Sequence, residues 1–96
     1  MEEKAKQIAE LLKVLANENR PMIFCALMNR PMNVSELIKY VPNITLSGLS
    51  QHLALLKAHG ILTCSKSGQN VTYEIADHRV EELMHVLKRY YCDTEE

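Results

Sequence analysis

Tryptophan is absent, and phenylalanine occurs once among 96 residues. Glycine, proline and cysteine occur three times each. Low-complexity segments and internal repeats are absent. The cysteines, Cys25, Cys64 and Cys92, are odd in number and have no close pair, which does not fit the disulfide framework of a small secreted protein. The longest apolar runs, such as Met22–Met28, are far too short to span a membrane. The segment Met1-Glu2-Glu3-Lys4 lacks the apolar stretch of a signal peptide. No Gly-rich phosphate loop, nucleophile elbow, metal-hydrolase pattern or Cys-x-x-Cys is present, so an enzyme is not expected. The expectation is one soluble, cytoplasmic domain over residues 1–96. A chain of this size buries only ~60–65% of its unfolded surface, and dimerisation is a common remedy.

Net charge is −1, which by itself does not suggest a nucleic-acid binder. Its distribution does. Residues 20–73 carry Arg20, Arg30, Lys39, Lys57 and Lys66 against Glu36 alone. The flanks are acidic, above all residues 74–96, where Arg79, Lys88 and Arg89 face seven acids. A cationic middle between anionic ends can present one positive face to phosphates.

Hydrophobic spacing predicts a helix from about Glu3 to Ala16, with Ile8, Leu11, Leu12 and Leu15 on one side. A second helix, about Glu18–Asn29, is apolar nearly all round and should be central, although Pro21 sits awkwardly one turn in. Asn33-Val34-Ser35-Glu36 predicts a capping box for a third helix, with Val34, Leu37, Ile38 and Val41 inward. Thr45 should cap a fourth helix running to His59, with Gly60 closing it and Leu46, Leu49, Leu53 and Leu56 forming a buried stripe. Two strands, Ile61–Ser65 and Val71–Ile75, flank a polar tip, Lys66–Asn70. Asp77 should cap a last helix to about Cys92, with Val80, Leu83, Met84, Leu87, Tyr90 and Tyr91 on its apolar side.

The order ααααββα is mainly α with a β-hairpin (α+β), and it reads as a winged helix-turn-helix. In that arrangement the second helix of the pair enters the major groove. Ser47, Gly48, Ser50, Gln51, His52 and Lys57 are then the expected contacts to DNA from the reading helix. Lys66, Gln69 and Asn70 at the hairpin tip can reach backbone or minor groove. Gly48 is a weak helix former and fits close backbone approach or local looseness. A winged helix used for protein contact is the alternative, and it predicts no salt-dependent DNA affinity.

The segments Leu12-Lys13-Val14-Leu15-Ala16-Asn17-Glu18-Asn19-Arg20, Leu49-Ser50-Gln51-His52-Leu53 through Gly60-Ile61-Leu62, and Val71-Thr72-Tyr73-Glu74-Ile75-Ala76-Asp77 resemble the ArsR/SmtB family of bacterial transcriptional repressors. The resemblance spans about residues 8–92, with Pro21 and Gly48 as departures. It implies a homodimer made by the first and last helices, a pseudo-palindromic operator in double-stranded DNA, and release when an inducer binds. Chemistry points the same way, because a small core leaves the apolar sides of the end helices partly unburied. A two-fold dimer would place its reading helices ~34 Å apart.

The family's inducer sites can be tested residue by residue. Its cysteine site on the third helix falls on Asn33-Val34-Ser35-Glu36-Leu37, without a thiolate. Its zinc site on the last helix falls on Asp77, Arg79, Tyr90 and Asp93, without an imidazole. His78, Glu81, Glu82 and His85 share a helical face and read as solvated surface, with a metal site as the alternative, while His59 reads as a cation at a helix C-terminus. No metal or other cofactor is expected. Cys25 and Cys92, in Ile-Phe-Cys-Ala-Leu and Tyr-Tyr-Cys-Asp, are similar to the sulfur-sensing branch of the family, the BigR, SqrR and YgaV type. That resemblance implies that reactive sulfur species or oxidants bridge the two thiols. Lys88 and Arg89 are expected to favour a thiolate at Cys92. A soft metal or metalloid held by Cys25 and Cys92, with Cys64 as a possible third thiolate, is the alternative. Cys64 otherwise reads as a half-exposed strand residue.

Overall fold

The computed structural model describes residues 1–92. Helices α1 (Glu2–Leu15), α2 (Asn19–Asn29), α3 (Val34–Leu37) and α4 (Leu46–Ala58) are followed by strands β1 (Leu62–Ser67) and β2 (Asn70–Ile75) and by helix α5 (His78–Tyr91). This is a winged helix-turn-helix in the expected order.

Local chemistry starts and stops most of these elements. Asn17 Oδ1 accepts the Asn19 N–H at 2.9 Å at the head of α2. Pro21 is the third helical residue, where an N–H would have no intrahelical partner, so the ring costs no hydrogen bond. At α3, Asn33 Oδ1 accepts from the Glu36 N–H at 2.9 Å and Glu36 Oε1 accepts from the Asn33 N–H at 3.0 Å, a closed capping box. Arg30 clamps the other carboxylate oxygen at 2.9 Å. Asn43, at φ 61°, turns the chain, and Thr45 Oγ1 accepts the Gly48 N–H at 3.0 Å to start α4. Gly60, at φ 74°, ends it. Asp77 caps α5 through the Arg79 N–H at 2.9 Å.

Ile23 and Phe24 of α2 are fully buried against Leu37, Leu49, Leu53, Leu56 and Val80. The central helix therefore keeps Met22, Cys25 and Met28 half-buried on its other side. Leu46 departs from the expected stripe and is 57% exposed. Periodicity assigns a face, but the first residue of a helix is buried only where a neighbour covers that turn.

The hairpin is longer than its composition suggests. Lys66 pairs with Val71 and Ser67 with Asn70, so the polar tip shrinks to Gly68 and Gln69. Gly68, at φ 63°, takes the first central position, as a II′ turn favours. Polar side chains look like loop in sequence, yet an exposed edge strand tolerates them. Met32, between α2 and α3, exchanges two backbone hydrogen bonds with Tyr73, at 3.1 and 2.8 Å. That bridge ties the wing to the helix-turn-helix.

Candidate nucleic-acid interface and thiol cleft

On α4, Ser47, Ser50 and Gln51 lie at i, i+3 and i+4, share one face and are exposed. Lys57 is exposed in the last turn. Lys66, Gln69 and Asn70 are exposed at the far end of the hairpin. Gly48 and His52 are half-buried and line a shallow cleft with Gln51 and Arg20. A Cβ on Gly48 would meet Ile44 Cγ1 at 3.1 Å and Thr45 Oγ1 at 3.3 Å, so glycine here relieves crowding at the cap.

His52 is more constrained than a freely solvated base reader. Its Nδ1 accepts from Arg20 Nε at 3.2 Å. Burial first, then the Arg20 charge, hold its pKa below the ordinary imidazole value. The ring is thus neutral, with its proton on Nε2 as the one donor it can offer. Arg20 also donates to the Val14 carbonyl, so one guanidinium joins the end of α1, the start of α2 and the reading helix. Sequence reasoning counted Arg20 only as a central cation. Its place beside Pro21 at the head of α2 was the available signal.

The thiols are arranged by the packing of α2 against α5. Cys25 is half-buried in α2, and Cys92 is exposed at the end of α5. Both open on one cleft of about 330 Å³, walled by Met84, Leu87 and Tyr91 and by Pro21 and Lys88. Burial pushes the Cys25 thiol up, Lys88 pulls it down, and the Cys92 sulfur pushes it up again. The Lys88 charge thus acts across the cleft on Cys25. Arg89 instead sits over the Tyr90 ring at 5.5 Å. Cys64 is half-buried on β1, opposite Tyr73, and does not line this cleft.

On the last helix, Arg79 grips Asp77 through two hydrogen bonds of 3.0 and 2.6 Å. That pairing is the first cause holding the Asp77 carboxyl below its usual range. Asp77 and Arg79, two of the positions onto which the family's zinc site falls, thus pair with each other; Asp93 lies outside the described residues. His78 approaches Glu81 at 3.7 Å. Among the described residues no group of three or more His, Cys, Asp or Glu side chains is placed to hold a metal ion. Among them, too, no helix is long and apolar enough to cross a membrane.

A helix-turn-helix with a hairpin wing and a polar, exposed outer face on its second helix defines a DNA-binding regulator of transcription, not an enzyme. The chain belongs to the HxlR-like helix-turn-helix family, which matches residues 6–93. It is similar to the transcriptional activator HlyU of Vibrio cholerae, at 36% identity over 96% of this chain and 84% of that protein. A solved HlyU structure superposes with a TM-score of 0.87, covering 96% of this chain and 99% of that one. The transcriptional repressor BigR of Xylella fastidiosa is 29% identical with a TM-score of 0.84, covering 100% and 94%. A homodimeric winged helix-turn-helix DNA-binding domain from Mycobacterium bovis is 26% identical with a TM-score of 0.75, covering 88% and 77%. HlyU and BigR are of the ArsR/SmtB type, in line with the resemblance in the sequence. Family membership also sets aside a winged helix used only for protein contact.

Proposed function

We propose that the protein is a homodimeric repressor that releases its operator when reactive sulfur joins Cys25 to Cys92. The observation that carries this reading is the single cleft onto which both thiols open. The dimer is supported by α1, where Leu11, Val14 and Leu15 pack on the core only half-buried and no residue is fully buried. Ile8 and Leu12 are 54% and 51% exposed on it, and Leu87 is exposed on α5. A second copy would cover these faces, as the homodimeric M. bovis relative illustrates.

The chemistry balances without an added oxidant. The Cys25 thiolate attacks the outer sulfur of a persulfide, RSSH, forming Cys25–S–SH and releasing the thiol RSH. A second transfer converts Cys92 in the same way. The Cys25 persulfide anion then attacks the sulfur bonded to Cys92, forming Cys25–S–S–S–Cys92 and expelling HS⁻. A simple disulfide needs Cα atoms within ~7 Å, and the extra sulfur relaxes that limit. The bridge would pull α2 against α5, shift the dimer and spoil the spacing of the two reading helices. A coupling of ~3 kcal/mol corresponds to about 150-fold in affinity.

Mass spectrometry after treatment with glutathione persulfide, beside a DNA-shift assay, tests this. The expected result is a Cys25–Cys92 bridge with one added sulfur and released DNA, both lost in Cys25→Ser. An unmodified protein that still binds DNA would overturn the sulfur reading. Arsenite titration would then test the thiophilic metalloid alternative.

A further inference from the structure

Cys25 opens on two clefts. The first, of about 330 Å³, leads to Cys92. The second, of about 300 Å³, lies toward Met22, Ala26, Asn29 and Tyr40. Only Pro21, Cys25 and Lys88 belong to both. The thiol is therefore shared by two adjoining open clefts whose other linings differ in chemistry. Beyond Pro21, Cys25 and Lys88, the Cys92 side is lined by Met84, Leu87 and Tyr91 and suits a soft, poorly hydrated sulfur chain. The opposite side adds the Asn29 amide and the Tyr40 hydroxyl, and Lys88 supplies an ammonium to both.

We infer that this second cleft, lined by Asn29, Tyr40 and Lys88 beside Cys25, holds the organic carrier of the incoming persulfide, a small thiol bearing carboxylate and amide groups. The inference rests on the sulfur-transfer reading above. Displacement at sulfur is in line, so the leaving thiol must lie beyond the transferred sulfur, away from the attacking one. The carrier therefore needs its own space at Cys25, separate from the path to Cys92. The donors fit such a carrier: an ammonium for a carboxylate, and an amide and a phenol for peptide groups. Asn29 Nδ2 reaches the Cys25 carbonyl only at 3.5 Å, a long contact that a ligand can replace. Tyr40 is half exposed at the mouth. The volume stands at the small end of ligand pockets, suited to a carrier no larger than a short peptide. RSSH delivers its outer sulfur to Cys25 and departs as RSH, so the cleft is emptied by exchange after each transfer.

The experiment compares rates of Cys25 persulfidation by glutathione persulfide and by inorganic hydrogen disulfide, read by mass spectrometry. In the unaltered protein glutathione persulfide should react faster. Asn29→Leu and Tyr40→Phe should each lower the ratio of the two rates about two- to tenfold, as loss of one hydrogen bond between neutral groups does. Reduced glutathione, which cannot transfer sulfur, should shift the Tyr40 ring resonances and slow labelling by hydrogen disulfide. A ratio unchanged in both variants, with no effect of glutathione, overturns the carrier site and leaves sulfur sensing standing. Failure of Cys25 to react with either donor overturns both.

Discussion

At the scale of single residues, the contact between Arg20 and His52 ties the head of α2 to α4. It requires a neutral His52, because Nδ1 must accept the Arg20 proton. The folded pKa is held below the ordinary 6.5 by burial and then by Arg20. The unfolded chain therefore takes up a proton first as pH falls. Stability from this group is full above about 6.5 and is lost as pH falls through the lowered folded value. Urea unfolding at about pH 7.5 and about pH 5.5 should show this loss in the native protein. His52→Gln keeps an acceptor for Arg20 and should remove that part of the difference. Glu36 and Asp77 are held below their usual carboxyl values, so their losses fall at lower pH and do not interfere. His52 was readable in sequence as a polar residue on the fourth helix. Its partner was not, since 32 residues separate the two.

At the scale of elements, α3 is the exposed weakness of the fold. It has four residues, and a single turn has no stability of its own in water. Its capping box and the buried Leu37 hold it in place. Asn33→Ala should cost about 1 kcal/mol, read as a lower urea midpoint with an unchanged slope. A change below ~0.3 kcal/mol would show that packing of Leu37 alone positions the turn. The capping box was legible because it depends on residues three apart. The ends of β1 and β2 were not, because pairing with the opposite strand decided them. Lys66, Ser67 and Asn70 have loop-like side chains and strand-like hydrogen bonds.

At the scale of the whole molecule, charge segregation and unpartnered apolar faces are the leading features. DNA affinity should fall linearly in a log–log plot against salt, and Lys57→Ala should reduce the slope by about one. An unchanged slope would remove Lys57 from the phosphate contacts. Leu12→Glu places a charge in the proposed dimer face without touching the buried core. Sedimentation should then show a monomer, and DNA affinity should drop, because two half-sites are no longer read together. A Leu12→Glu protein that stays dimeric would move the interface away from α1.

The sequence by itself determined the element order, the caps and the helix-turn-helix. These follow from short-range rules: residues three and four apart, a proline that breaks a helix, a glycine at positive φ. Tertiary structure decided what depends on neighbours distant along the chain. It left Leu46 in solvent, joined Arg20 to His52, and turned the Lys88 charge toward Cys25. It also opened Cys25 and Cys92 onto one cleft between α2 and α5. Burial and proximity are properties of the packed chain, so no local pattern encodes them.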